Sequence, residues 1–167
     1  MAHQIDEIDA EILRLLQARG RMQRNAIAKE VDLSVSAVSE RMRKLEERGV
    51  ITGYHAIVDA KRLHLDITAF IRVSVDGSEH YPEFIEAVKA MDAVLEVHSI
   101  TGDGSHIMKV RTRNTTTLER LLSRIQALPG VSSTSSSLVL STFKETRAIP
   151  TAPTELYDYE EERASAV

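Results

Sequence analysis

Apolar positions in the first third of the chain recur at helical spacing. Ile8, Ile12, Leu15 and Leu16 form a stripe across residues 5–18, and Ile27, Ala28 and Val31 share one side of a short segment over 24–31. Val38, Met42 and Leu45 fall at i, i+4 and i+7, which predicts a third helix behind Ser34 or Ser36. Either serine can cap it by accepting a bond from a free N–H of the first turn. Asp32-Leu33 is left as the turn, and Asp tolerates the left-handed backbone such a turn needs. Three helices with a tight turn between the second and third make a helix-turn-helix. Residues 50–58, Val-Ile-Thr-Gly-Tyr-His-Ala-Ile-Val, are rich in β-formers and predict a wing, with 59–64 as a short linker.

The rhythm then changes. Ile67, Ala69, Ile71, Val73 and Val75 alternate along 65–75 as one face of a strand. Phe84, Ile85, Val88 and Met91 stripe a helix over 81–91, with Pro82 in its first turn. Residues 94–101 and 105–112 read as two strands around Gly102-Asp103-Gly104, a hairpin sequence. Leu118, Leu121, Leu122 and Ile125 stripe a second helix, and 131–141 is a last, serine-rich strand. The order β-α-β-β-α-β is the ferredoxin-like split arrangement, in which two helices cover one face of a four-stranded sheet. The bare face must be covered as well, and dimerisation is the simplest solution. The fold class is therefore α+β. A winged helix-turn-helix occupies 1–58, a linker 59–64, a ferredoxin-like domain 65–149, and an acidic, mobile tail 150–167.

Composition changes this picture in two places. A chain of 167 residues with 43% hydrophobic content can build one or two small cores. It has no cysteine, hence no disulfide and no thiolate metal site. No apolar run approaches membrane-spanning length, and the start MAHQIDEID lacks a signal peptide's apolar stretch, so a cytoplasmic protein without membrane contact is expected. The net charge of −4 looks wrong for a nucleic-acid binder. The deficit is local. From Pro150 on, Glu155, Asp158, Glu160, Glu161 and Glu162 face only Arg163, so the rest of the chain is about neutral. Within it, Arg14, Arg19, Arg21, Arg24 and Lys29 follow one another with no acid between them, and Arg41, Arg43 and Lys44 form a second group. Such a positive strip is the footprint of phosphate contact.

The third helix carries Ser36, Ser39, Glu40 and Arg43 opposite its apolar stripe, with Ala37 and Lys44 on one flank. Small residues at its N-terminal end let the backbone approach base edges, and Arg and Lys further along read guanine or neutralise phosphate. A solvated helix in any all-α domain shows the same single stripe, and the acid-free basic run favours the DNA reading. Arg24, Ser34, Ser36, Ala37, Ser39, Glu40, Arg41, Arg43 and Lys44 are the candidate contacts to double-stranded DNA.

Residues 5–54 closely resemble the Lrp/AsnC (feast/famine) transcription regulators. The positions that carry the resemblance are Asp6, Asp9, Gly20, Arg21, Leu33, Ser34, Ser36, Arg41, Leu45, Glu46, Gly49, Ile51, Gly53 and Tyr54. Thr101-Gly102-Asp103 and Leu128-Pro129-Gly130-Val131 extend it, more weakly, to about residue 150. The resemblance implies a regulator without catalytic residues or cofactor. It further implies that the second domain dimerises, assembles into larger rings, often octamers, and senses an amino acid or related metabolite.

Gly102-Asp103-Gly104-Ser105-His106 is the candidate effector loop. Its glycines allow close backbone approach, exposed N–H groups can receive a carboxylate, and Asp103 can pair with an ammonium group. Gly-Asp-Gly alone is also simply a turn. The resemblance favours the ligand, because the family's pocket lies at this hairpin between dimers, with Thr134 and Ser136 of the last strand nearby. Relatives often carry a second aspartate and an aromatic where Ser105 and His106 stand, which leaves the amino acid specificity open. His64 replaces a glycine common in relatives. The histidines show no HxxxH or HxH spacing and so no metal site. Two alternatives remain from the sequence: a sirohaem-type decarboxylase of the same layout, and a winged-helix regulator without ligand.

Overall fold

The computed structural model describes residues 4–155. The described residues divide into two compact units, residues 58–145 and a head made of residues 4–57 together with 146–155.

In the head, α1 (Glu7–Ala18) starts at Asp6, whose carboxylate accepts from the Asp9 N–H at 2.7 Å. α2 (Arg24–Glu30) and α3 (Val35–Glu47) follow, the latter started by Ser34, which accepts from the Ala37 N–H at 3.1 Å. Between them Asp32 takes the left-handed conformation, φ 52°, and the Leu33 N–H bonds the Ala28 carbonyl at 2.9 Å. The three stripes meet in one core of Ile12, Leu15, Leu16, Ile27, Ala28, Val38, Met42 and Leu45. Residues 50–58, expected as the wing, hold no strand within the single chain. The Val50 and Ile51 N–H groups instead turn back to the Leu45 carbonyl at 2.9 and 3.1 Å and close α3. Residues 52–58 are all exposed, Ile57 at 99%. High β-propensity gives no ladder where the unit offers no partner strand.

The strand the head does contain is β1 (Gln4–Ile5). It pairs antiparallel with β6 (Thr154–Glu155), Gln4 opposite Glu155 and Ile5 opposite Thr154. This corrects the mobile tail expected from residue 150. Up to Glu155 the segment is tied to the head. The acids from Asp158 to Glu162 lie outside the described residues.

The second unit follows the alternation and stripes closely. β2 (Ile67–Val75), α4 (Tyr81–Lys89), β3 (Val94–Ser99), β4 (His106–Thr112), α5 (Thr115–Gln126) and β5 (Val131–Leu138) build an antiparallel sheet in the order β3-β4-β2-β5. Ala69, Ile71, Val73, Val75, Met108 and Val110 face Phe84 and Val88 of α4 and Leu118, Leu121 and Ile125 of α5. Asn114 and Thr117 exchange side chain and backbone bonds in a capping box that starts α5. On the other face of β2, Phe70 remains 40% exposed and Arg72 is exposed. β5 stops at Leu138, opposite Ala69, three residues before the serine-rich alternation does, and the Val139 N–H adds one last bond to the Thr68 carbonyl at 2.9 Å.

Candidate DNA interface and effector loop

The exposed side of α3 is built as its stripe requires. Val38, Met42 and Leu45 are buried, while Ser34, Ser36, Glu40, Arg43 and Lys44 are exposed and Ala37 and Ser39 partly so. Arg24 at the start of α2 joins them. It lines, with Arg21, Gln23, Ser39, Glu46 and Tyr54, an open cleft of about 680 Å³ beside α3. Tyr54 donates its hydroxyl to Glu46 at 2.9 Å. Burial, together with that bond, pushes its phenol up to about 12. The tyrosine therefore stays neutral and keeps the chain after Gly49 against α3.

The cations on this surface differ in what holds them. Arg43 lies between two acids of its own helix, donating to Glu40 at 2.9 and 2.7 Å and also to Glu47. The Arg43 guanidinium holds the exposed Glu40 carboxyl down at about 2, and both acids raise Arg43 further. Pairs this exposed are weak in water, so a phosphate or guanine can compete for the guanidinium. Lys44 reaches Glu40 only at 3.6 Å.

Arg41 differs from both. The sequence groups it with the DNA contacts. The structure turns it inward, with Nη1 donating to Asp6 Oδ2 and Asp9 Oδ1, both at 2.7 Å. Its side chain is 30% exposed and that of Asp9 11%. Arg41 is thus committed to joining α3 to α1. Asp6 caps α1 and anchors Arg41 at once. Burial raises its carboxyl, but the Asp9 N–H and the Arg41 guanidinium outweigh that and leave it lowered.

The hairpin residues also separate into two groups. Gly102 has open space where a Cβ would stand, and Asp103 is exposed at the tip. Gly104 sits at φ 85°, and a Cβ there would meet the Val73 carbonyl oxygen at 3.0 Å, so this glycine lets the hairpin lie on β2. Ser105 fastens it. Its N–H bonds the Val73 carbonyl at 2.9 Å, and its Oγ accepts from the Val75 N–H at 3.0 Å.

His106, expected to line the loop, is instead fully buried on the helix side of the sheet. Its ring stands edge-on to Tyr81 at 4.8 Å and tilted against Phe84 at 5.0 Å. Nδ1 lies 2.8 Å from the Ser105 hydroxyl, and Nε2 has no hydrogen-bond partner among the described residues. Burial lowers its pKa and keeps the ring neutral. The signal for this was the alternation itself. His106 shares the face of Met108 and Val110, the core positions of β4.

The register places His106, Val73 and Thr134 in one row across the sheet, with Ser136 one step along opposite Ile71. Thr134 accepts from Gln126 Nε2 at 2.8 Å, and Ser136 is exposed. Asp103 stands outside this row, on the loop beyond it. Among the described residues no three of His, Cys, Asp and Glu come together to hold a metal ion, and no helix is long and apolar enough to cross a membrane.

A helix-turn-helix with an open recognition helix, followed by a ferredoxin-like unit with one uncovered sheet face, defines a DNA-binding transcription regulator with a separate second domain. A winged helix-turn-helix DNA-binding family matches residues 5–52, and the Lrp/AsnC ligand binding domain matches 68–149. The HTH-type transcriptional regulator FL11 of Pyrococcus horikoshii is 38% identical over 87% of this chain and 96% of its own. The leucine-responsive regulatory protein of Haemophilus influenzae is 31% identical over 85% and 87%. A feast or famine regulatory protein of Mycobacterium tuberculosis, solved with L-methionine, superposes with a TM-score of 0.82 at 32% identity, covering 87% of this chain and 99% of that one. A transcriptional regulator of Neisseria meningitidis, solved with L-methionine, gives 0.83 at 28% identity over 87% and 96%. The chain belongs to the Lrp/AsnC family of transcription regulators.

Proposed function

We propose that this regulator reads DNA through the exposed face of α3 as a dimer and that its sheet unit binds a free amino acid at the β3–β4 hairpin. Ligand binding changes the stability of higher assemblies, and with it how several heads meet successive half-sites. The ligand acts through differential affinity for two states of assembly. The observation that carries the effector reading is the hairpin tip: an exposed Asp103 carboxylate beside the unobstructed Gly102 backbone. A carboxylate next to free backbone N–H groups complements the ammonium and carboxylate of an α-amino acid. The two L-methionine complexes among the solved relatives support the same ligand class. Thr134 and Ser136 are the secondary candidates. Gly104, Ser105 and His106 hold the loop in place and leave the recognition to Asp103 and Gly102. Dimerisation accounts for the uncovered sheet face with half-exposed Phe70.

Thermal shift of the full chain against the twenty amino acids tests this, because a ligand bound only by the native state raises its melting temperature. At least one amino acid should raise it, and Asp103→Ala should abolish that rise while leaving DNA retention by the ligand-free protein intact. A full ligand response in Asp103→Ala removes the hairpin tip from the site.

A further inference from the structure

The β3–β4 hairpin meets the end of β2 at a single hydroxyl. The β2–β4 ladder ends where Val73 faces His106, so the N–H of the buried Val75 has no ladder partner on β4. A buried backbone donor needs an acceptor, and Ser105 Oγ supplies it at 3.0 Å. The same oxygen lies 3.2 Å from the Val73 carbonyl oxygen and 2.8 Å from His106 Nδ1. The Ser105 backbone is held as well. Its N–H donates to the Val73 carbonyl at 2.9 Å, and its carbonyl accepts from the Ile100 N–H at 3.0 Å, which closes the loop of residues 101–104. A hydroxyl has one proton to give and two lone pairs to receive with. One lone pair takes the Val75 N–H. The Val73 carbonyl can only accept, so the hydroxyl proton goes there. The second lone pair is left for His106, whose Nδ1 must then carry the ring proton. In the other tautomer the hydroxyl proton would turn to Nδ1, and two oxygens would face each other at 3.2 Å with no proton between them. An Nε2–H would also be buried with no acceptor among the described residues.

We infer that His106 is a positioning residue for effector binding: as the Nδ1–H tautomer it holds the Ser105 hydroxyl, and Ser105 sets the hairpin on β2. The ring is fully buried against Tyr81 and Phe84, so it acts on a ligand at the hairpin tip only through Ser105. What it fixes is the oxygen at the base of the loop. Next to that base, Gly104 brings the loop backbone so close to β2 that a Cβ would meet the Val73 carbonyl oxygen at 3.0 Å. A shift of Ser105 therefore moves Gly104, and with it Asp103 and Gly102, the two residues offered for recognition. Without the Nδ1–H donor the hydroxyl is free to turn and the loop samples more positions. Part of the ligand's binding free energy then goes into ordering the loop, and affinity falls. This rests on the effector reading above.

The test uses the full chain as parent, Ser105→Ala, His106→Phe and the double variant. His106→Phe keeps a ring between the sheet and Tyr81 and removes only the donor. Nitrogen NMR of the histidine-labelled parent at pH 7.5 reads the tautomer directly, and the signal missing from His106→Phe identifies the residue. The proton should sit on Nδ1. Amide exchange reads the anchor without any ligand. Protection of the Val75 amide should fall about ten-fold in each single variant, and no further in the double than in Ser105→Ala, because both changes break one chain of bonds. Isothermal titration then uses the amino acid that gives the parent its largest thermal shift among the twenty. Its affinity should fall about ten-fold in His106→Phe, again with no further loss in the double beyond Ser105→Ala. A proton on Nε2 overturns the inference, as do parent affinity in His106→Phe and effects that add in the double variant. A parent that responds to none of the twenty refutes the effector reading, and the inference falls with it. A parent that responds while His106→Phe binds the same amino acid equally well refutes the inference alone.

Discussion

Arg41→Ala will loosen the DNA-binding head by about 2 kcal/mol, because it leaves the Asp9 carboxylate without its partner inside the α1–α3 contact. Breaking a fully buried ion pair costs about 3–5 kcal/mol, and breaking an exposed one costs below about 1. Arg41 and Asp9, at 30% and 11% exposure, lie between these limits. The Asp6 pair, with its carboxylate 48% exposed, is screened by water and adds little. Hydrogen exchange reads the effect locally. Protection of α1 and α3 amides should fall about 30-fold, with the sheet unit unchanged. Specific DNA binding should fall with it, since α3 loses the contact that fixes it on α1. The sign of the pH dependence follows from Asp6. Its carboxyl is lowered, so its contribution is complete above the ordinary carboxylate range and is lost as pH falls through its folded value. Unchanged protection in Arg41→Ala would return this residue to the surface and to direct contact with DNA.

The second large effect is a loss of sheet-unit stability on mild acidification. His106 is buried, neutral and without a partner for Nε2 among the described residues, so the unfolded chain takes up a proton near pH 6.5 that the folded chain refuses. Its folded pKa is lowered. Its stabilising contribution is complete above about pH 6.5 and is lost as pH falls from there towards the folded value, at up to about 1.4 kcal/mol per pH unit. His106→Phe keeps an aromatic ring beside Tyr81 and Phe84 and removes the titration. Urea midpoints at pH 7.5, 6.0 and 5.0 should fall steadily for the parent. For His106→Phe they should fall less. Parallel curves for the two proteins would mean that His106 titrates freely, which its burial does not allow.

Local pattern carried most of the fold. The stripes of α1 and α3, the alternation of β2 and the hairpin glycines are set by neighbours within a few residues, and Asp32 took the left-handed turn for which its side chain suits it. What failed depends on distant partners. Residues 50–58 have strand composition but no strand beside them. The β1–β6 pair joins residues at opposite ends of the chain, and Gln17 meets Ile149 across 132 positions. Charge in the sequence shows where a cation is and leaves open what it faces, so Arg41 grouped with Arg43 although its acids lie 32 and 35 positions away. A usable signal existed. Asp6 and Asp9, at i and i+3, share one side of α1 and belong with Arg41 to the same family pattern. His106 was drawn to the loop by its neighbours Gly102–Ser105, although the alternation of β4 already assigned it inward.

The central claim is that the outward face of α3 reads DNA sequence. Its most direct measurement compares parent and Arg43→Ala on a selected duplex and on a scrambled duplex at one salt concentration. Arg43 lies opposite the buried Val38, Met42 and Leu45, and its exposed pairs with Glu40 and Glu47 can be exchanged for a base. The expected result is a loss of about 1–3 kcal/mol on the selected duplex and little change on the scrambled one. Equal affinity of parent and variant for the selected duplex would contradict the assignment of α3 as the reading element.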